Sequence, residues 1–134
     1  DNGYTKEEMK MVNETRKMFH DDSLKITCTC VRVPVMKSHS ESINVEFNNQ
    51  YELDDIYNIL NSAPGVKVVD DVKNSKYPFA TDAADTDDTY VGRIRRDESV
   101  ENGLNIWVVA DNVRKGAASN AVQIAEELIK VWER

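Results

Sequence analysis

The sequence predicts an α+β fold, with a mixed, mostly antiparallel sheet and helices packed on one face. The predicted order of elements is α-β-β-α-β-β-β-α, so several strands follow one another along the chain without an intervening helix. The 134 residues suffice for one ordinary domain. A hydrophobic content of 40% with 31% charged residues is typical of a folded globular chain. We therefore expect one domain over residues 1–134.

The first predicted element is a helix over residues 6–19. Thr5 and Glu8 have the spacing of a capping box, in which two side chains satisfy backbone N–H groups at a helix start. Helical spacing places four side chains on one side of the helix: Met9, Val12, Arg16 and Phe19. A polar break over residues 20–23 ends this element.

Two strands are predicted on either side of Pro34. Residues 25–33 are rich in β-branched side chains, which favour a strand. Alternation would place Ile26, Cys28, Cys30 and Arg32 on one face of it. We expect the two cysteines to be buried thiols, since strand neighbours of this spacing seldom form a disulfide. The second strand is indicated by Ile43, Val45 and Phe47, which alternate with polar residues.

The second half of the chain predicts one helix, three strands and a long final helix. A short amphipathic helix over residues 53–60 is followed by a strand over residues 66–69. An acidic loop covers residues 70–88, and its one apolar anchor is Tyr77, Pro78 and Phe79. Two strands, residues 90–96 and 104–110, follow; the second is apolar on both faces and is expected to be central in the sheet. The final helix covers about residues 114–133. Its expected buried stripe is Ala117, Ala121, Ile124, Leu128, Val131 and Trp132.

Charge and composition exclude several classes of function. The formal net charge of -7 disfavours general binding to nucleic acid or anionic membranes, since both need a basic surface. No apolar run has the length of a membrane span, and the cysteine pattern does not form a disulfide framework. These features favour a cytoplasmic protein. The chain begins at Asp1 without an initiator methionine, and we expect it to be a piece of something longer.

Arg32 and His39 are the first candidates for chemistry. Arg32 ends one predicted strand and His39 begins the next, so a hairpin of the two strands would bring both side chains to the same end of the sheet. A guanidinium binds a carboxylate with two parallel hydrogen bonds, and an imidazole can exchange a proton near neutral pH. The alternative is a surface arginine and a loop histidine, which a motif this short does not exclude.

The segment of residues 30–41, which contains both side chains, resembles the active-site segment of aspartate-β-semialdehyde dehydrogenases. Further stretches are similar to this family in the same order along the chain: residues 4–10, 14–17, 90–95, 107–118 and 120–126. The resemblance covers essentially the whole chain. It implies that the sequence is the C-terminal part of such an enzyme.

The resemblance also implies a role for five residues. Arg32 would bind the α-carboxylate of the substrate, and His39 would be the general acid and base. Glu7 would bind the substrate's ammonium group, and Lys10 would bind phosphate. Asn112 would lie near the nicotinamide cofactor. The alternatives are a surface ion pair for Glu7 and Lys10 and a helix cap for Asn112.

The family divides its site between two domains, and the first of them is absent here. The glycine-rich nucleotide loop and the nucleophilic cysteine belong to that Rossmann domain, so we expect this chain alone to be inactive. The resemblance implies NADP as cofactor, bound mainly by the missing domain, and a homodimer or tetramer as assembly. The final helix is expected to pack back toward the missing domain. The whole enzyme would interconvert L-aspartyl 4-phosphate with L-aspartate 4-semialdehyde and phosphate.

Two other functions remain open at this point. The chain could be a non-catalytic dimerisation module that retains the family's fold. It could also belong to a related acyl-phosphate reductase acting on an acetylated substrate. Glu7 disfavours the second alternative, because a carboxylate facing an acetylated amine gains no electrostatic stabilisation.

Overall fold

The computed structural model describes residues 2–132, and the chain forms two compact units, Asp1–Pro34 and Val35–Arg134. The first unit contains helix α1, Lys6–Phe19, which confirms the predicted helix. The capping box is formed: Thr5 Oγ1 accepts the N–H of Glu8 at 3.2 Å, and Glu8 Oε2 accepts the N–H of Thr5 at 2.7 Å. The helix ends at His20, which adopts the left-handed conformation with φ 53°.

The strand predicted over residues 25–33 is wrong. These residues join no sheet within the described residues 2–132, and the segment that begins at Leu24 is hydrogen-bonded to α1 instead. Arg16 donates from Nε and Nη2 to the carbonyl of Leu24 at 3.1 and 2.9 Å, and Glu8 Oε1 accepts the N–H of Cys30 at 2.9 Å. The expected buried thiols are wrong as well, because Cys28 is half-buried and Cys30 is exposed. β-branched residues favour an extended backbone, but a strand also needs a neighbouring strand.

The second unit contains a four-stranded mixed sheet with the strand order β1-β4-β3-β2. The strands are β1, His39–Glu46; β2, Val66–Val68; β3, Thr89–Asp97; and β4, Gly103–Ala110. β4 pairs antiparallel with β1 and β3, and β2 pairs parallel with β3. The predicted α+β class and the central position of β4 are thus confirmed. The element order is α-β-α-β-α-β-β-α, because the strand predicted before Pro34 is absent and a short helix is added.

Helices cover parts of both faces of this sheet. Helix α2, Leu53–Ser62, packs on the face that carries Val91, Ile94 and Leu104. The short helix α3, Ala80–Ala83, lies on the opposite face, where Ala83 packs with Tyr90 and Val109. Val109 is fully buried, which contributes about 1.5–3 kcal/mol of hydrophobic stabilisation. The prediction of helices on one face therefore holds for α2. On the other face, α3 adds a small hydrophobic cluster.

The predicted final helix is present but begins with an unusual turn. Arg114–Ala118 forms a π turn, and helix α4, Ser119–Trp132, continues from it. The prediction that the apolar stripe of this helix is buried is wrong for residues 2–132. Four of its side chains are 47–78% exposed: Ile124, Leu128, Val131 and Trp132. An apolar stripe of this kind needs a partner surface, and residues 2–132 do not supply it.

Gly92 permits a close approach between β3 and the loop that precedes α3. A Cβ atom at this position would collide with the carbonyl oxygen of Val69 and with the ring of Pro78. Pro78 is fully buried, and its carbonyl accepts the indole N–H of Trp107 at 2.9 Å. The sequence predicted that residues 77–79 anchor this loop. Pro78 does so through its hydrogen bond to β4, and it fits there only because position 92 is a glycine.

We expect Gly92→Ala to lower the free energy of unfolding by about 1–3 kcal/mol, since the added methyl group must displace backbone or a buried ring. Urea denaturation would measure the change. Gly116→Ala is the matched control, because its Cβ would lie 3.9 Å from Asn112 Cβ, an ordinary contact. An equal loss of stability in both variants would contradict the close approach at Gly92.

Candidate functional site

His39 lies at one end of the sheet, where β1 begins and β4 ends. It is the first residue of β1 and pairs with Ala110, the last residue of β4, which confirms the predicted strand start. Because the two strands are antiparallel, His39 lies at the same end of the sheet as the residues that follow Ala110. The histidine itself is exposed.

The two residues before His39 are each bound to another part of the unit. Ser38 is 5% exposed and has φ 76°, in the left-handed region. Its N–H donates to Asn112 Oδ1 at 3.0 Å. Lys37 Nζ donates to Asp85 Oδ1 at 2.5 Å, and this contact raises the pKa of Lys37. The structure thus brings Asn112 to within one residue of His39.

A buried carboxylate lies next to Asn112. Asp111 is 1% exposed and accepts three backbone N–H groups, from Asp85 at 2.7 Å, Val113 at 2.8 Å and Arg114 at 3.1 Å. These hydrogen bonds, with that of Asp85 the largest, lower the pKa of Asp111. The alternative of Asn112 as the helix cap is wrong, because Asp111 binds the N–H groups at the entry to the π turn. Sequence reasoning missed Asp111, although an aspartate between an apolar strand and a helix is a common capping signal.

Asp87 joins the loop before β3 to the start of the final helix. Its carboxylate accepts hydrogen bonds from Nε and Nη2 of the Arg114 guanidinium, at 2.9 and 2.6 Å, and from the hydroxyl of Ser119 at 2.5 Å. The hydrogen bonds from Arg114, followed by that from Ser119, lower the pKa of Asp87 to about 2. A planar fork meeting a carboxylate in this way fixes orientation as well as distance.

The lowered pKa of Asp87 makes stability depend on pH. A carboxyl group whose pKa is lower in the folded than in the unfolded state stabilises the fold fully above its ordinary value of 3.8, and the contribution is lost as the pH falls toward about 2. We expect Asp87→Asn to lower the melting temperature at pH 7, and the difference from the original protein to disappear near pH 2. Thermal unfolding across pH 2–7 would measure it.

Asp22→Asn, which changes an exposed carboxylate after α1, is the control and should leave the melting temperature at pH 7 unchanged. If the Asp87 variant melted at the same temperature as the original protein at pH 7, the ion pair with Arg114 would not stabilise the fold.

The first unit carries the other three candidates. Glu7 and Lys10 lie one turn apart on α1, with 3.7 Å between Oε1 and Nζ, and both are well exposed. An exposed pair of this kind contributes little to stability, so both charges are accessible to ligands. Arg32 is also exposed. The N–H of Cys30 donates to the carboxylate of Glu8, which links the side chain next to Glu7 to the backbone two residues before Arg32. Sequence reasoning gave Glu8 only its capping role.

The hairpin predicted to bring Arg32 and His39 together does not form. Residues 25–33 are not a strand, and β1 has β4 as its neighbour. Glu7, Lys10 and Arg32 belong to the first unit, and His39 and Asn112 belong to the second.

The surroundings of Cys30 oppose a nucleophilic role for its thiol. Cys30 is exposed as a residue, yet partial desolvation of its thiol, followed by the neighbouring Cys28 and Glu8, raises the pKa of Cys30. A raised pKa opposes formation of the reactive thiolate. Within residues 2–132, no cluster of three or more His, Cys, Asp or Glu side chains could hold a metal ion. No helix in that range has the length and apolar character of a membrane span.

Comparison with known proteins finds close relatives over nearly the whole chain. The family described as semialdehyde dehydrogenase, dimerisation domain, matches residues 1–115. Aspartate-semialdehyde dehydrogenases of Legionella pneumophila and Aquifex aeolicus are 56% and 52% identical over 96% and 97% of this chain. A solved structure of aspartate semialdehyde dehydrogenase II from Vibrio cholerae is 48% identical over 97% of the chain, with a TM-score of 0.90.

The chain is much shorter than these relatives. It spans 37% of the Legionella protein and 38% of both the Aquifex protein and the Vibrio structure.

Proposed function

Because the chain belongs to the semialdehyde dehydrogenase dimerisation-domain family, we propose that it forms the C-terminal part of an NADPH-dependent aspartate-semialdehyde dehydrogenase. The observation that carries this proposal is 52–56% identity to such enzymes over 96–97% of the chain. The whole enzyme interconverts L-aspartyl 4-phosphate with L-aspartate 4-semialdehyde and phosphate. This reaction belongs to the biosynthesis of the amino acids derived from aspartate.

The first unit binds the charged groups of the substrate in this proposal. The guanidinium of Arg32 binds the α-carboxylate with two parallel hydrogen bonds. Glu7 binds the ammonium group, and Lys10 binds the phosphate that enters or leaves. Their exposure and the weak 3.7 Å contact between Glu7 and Lys10 support these roles, since neither charge is committed to a strong internal partner. Three fixed charges orient a small substrate, which is itself a large part of catalysis.

His39 transfers the proton in this proposal. Its imidazole is exposed at the end of the sheet, so a substrate can reach it, and the strand pairing of His39 with Ala110 fixes its backbone. The nucleophilic cysteine and the nucleotide loop lie in the N-terminal domain outside this sequence. In this proposal His39 is the group that takes up and gives back a proton during the reaction.

Asn112 offers a contact to the nicotinamide end of NADP. Its oxygen accepts the N–H of Ser38, so its NH₂ group remains the donor, and the residue is exposed. Gly116 leaves open surface beside it, since a Cβ there would make only ordinary contacts at 3.9 and 4.0 Å. These residues fit a carboxamide group at this position. The cofactor supplies the hydride when bound, and the N-terminal domain holds most of it.

Two surfaces of the second unit need partners in the whole enzyme. The exposed apolar side chains of α4 pack against the N-terminal domain, which buries residues that are 47–78% exposed here. The sheet supplies the interface of a homodimer, which is the unit of a dimeric or tetrameric assembly. The family's description as a dimerisation domain supports this second surface.

We expect the 134-residue chain alone to show no turnover with NADPH and aspartyl phosphate, or with NADP, aspartate semialdehyde and phosphate. The thiol with a raised pKa at Cys30 is a poor nucleophile, and the nucleotide loop is not in the sequence. Absorbance of NADPH at saturating substrate would measure it, with the full-length enzyme as positive control. Turnover by the pure chain would show that the nucleophile lies within these residues.

In the full-length enzyme, His39→Asn and Arg32→Lys should affect different kinetic constants. The asparagine is polar but cannot take up a proton, so kcat should fall by about 10²–10⁴-fold with a smaller change in KM. The lysine keeps the charge but loses the planar fork, so KM for the substrate should rise and kcat should also fall. Steady-state kinetics would separate these effects, and circular dichroism would verify folding.

Glu98→Gln, at an exposed position after β3, is the control for these variants and should retain normal kinetics. If the folded His39→Asn enzyme kept near-normal turnover, the acid and base role would be wrong, and His39 would be an ordinary loop residue.

A further inference from the structure

We propose that Asn112 is a positioning residue for His39: its side-chain oxygen holds the peptide N–H of Ser38 and so fixes the backbone from which the imidazole extends. The proposal rests on the function proposed for His39. It adds a role for Asn112 that is independent of any contact with the cofactor. Asn112 and Ser38 are separated by 74 positions in the sequence and meet only because β1 pairs with β4.

The orientation of the Asn112 amide follows from its partner. The backbone N–H of Ser38 can only donate, so the atom 3.0 Å from it is the amide oxygen. Ser38 is 5% exposed, which shields the hydrogen bond from competing water. The amide therefore has one fixed end, at Ser38, and one free end, the NH₂ group.

Ser38 is held in a conformation that it would not keep by itself. With φ 76°, the backbone of Ser38 lies in the left-handed region. Residues other than glycine keep this conformation only where surrounding contacts hold them. Its hydroxyl is buried and has no hydrogen-bond partner among the described residues, so the side chain does not provide the restraint. Three contacts around Ser38 can provide it: the bond to Asn112, the pairing of His39 with Ala110, and the bond from Lys37 to Asp85.

The anchor is rigid on its own side. Asn112 follows Asp111, whose buried carboxylate accepts three backbone N–H groups. One of these is the N–H of Asp85, and the side chain of Asp85 in turn binds Lys37. The segment before His39 is therefore bound twice to the same end of β4, through Lys37 and through Ser38.

Loss of the Asn112 bond should affect proton transfer more than substrate binding. Without it, Ser38 can relax to negative φ, which moves the start of β1 and the imidazole of His39. The charged groups proposed to bind substrate, Arg32, Glu7 and Lys10, belong to the other unit. A displacement of about 1 Å at a reacting group can reduce the rate by roughly 10²-fold. We expect Asn112→Ala to lower kcat by about 10- to 100-fold with little change in the substrate KM.

A double-mutant cycle in the full-length enzyme tests the proposal. Asn112→Ala is introduced into the original enzyme and into the His39→Asn variant, and kcat is measured at saturating substrate and cofactor. If Asn112 acts through His39, its substitution lowers kcat in the original enzyme and has no further effect when the imidazole is gone. If it acts only through the cofactor or the general fold, the two losses multiply, and the proposal is overturned.

Three further variants sharpen the test. Ser38→Gly keeps the N–H and suits φ 76°, so kcat should stay near the original value; a loss as large as that of Asn112→Ala would overturn the proposal. Asn112→Gln keeps the amide but shifts its oxygen by one methylene, and it should repeat the loss if Asn112→Ala does not fold. Asn105→Ala is the matched control, because Asn105 lies at the opposite end of β4 and binds Asn44; kcat should be unchanged.

The outcomes separate this proposal from the proposed function. Near-normal turnover in His39→Asn would contradict the acid and base role itself. A large loss in His39→Asn together with normal kcat in Asn112→Ala would leave that role standing and overturn only the positioning role. A weaker NADPH affinity with unchanged kcat in Asn112→Ala would also overturn it, since Asn112 would then be a cofactor contact alone.

Discussion

The buried carboxylate of Asp111 is the interaction on which the functional end of the sheet depends. A charge with 1% exposure is stable only when hydrogen-bond donors replace water, and three backbone N–H groups do so here. One comes from the loop before β3 and two come from the entry to the π turn. The end of β4, that loop and the final helix therefore adopt one arrangement together, and Asn112 takes its position from it.

The chain separates the charges that build the fold from the charges proposed to bind ligands. Asp111 and Glu8 are buried, and each accepts N–H groups from distant parts of its unit. The proposed substrate-binding residues Glu7 and Arg32, and His39, are exposed. Substitution of an exposed group leaves the buried hydrogen bonds intact, so activity and stability can change independently in this domain.

Local patterns predicted most of the elements, and long-range pairing explains what they missed. The capping box of α1 and the alternation of Ile43, Val45 and Phe47 are local signals, and both elements are present. Residues 25–33 have strand-forming side chains, but a strand also requires a partner that no local pattern specifies. α3 has only four residues, too few for a helical period to be visible.

The same limit applied to the site. The sequence identified His39 and Asn112 separately and placed His39 at a strand start, which is confirmed. The hydrogen bond that joins Asn112 to Ser38 depends on the register of β1 against β4, across 74 residues, and no local pattern in the sequence reveals that register. The register has a second consequence, for folding. β1 leaves the ribosome some sixty residues ahead of the strand that pairs with it. Until β4 has been synthesised β1 has an open edge, and its two glutamates, Glu41 and Glu46, oppose aggregation of nascent chains through that edge.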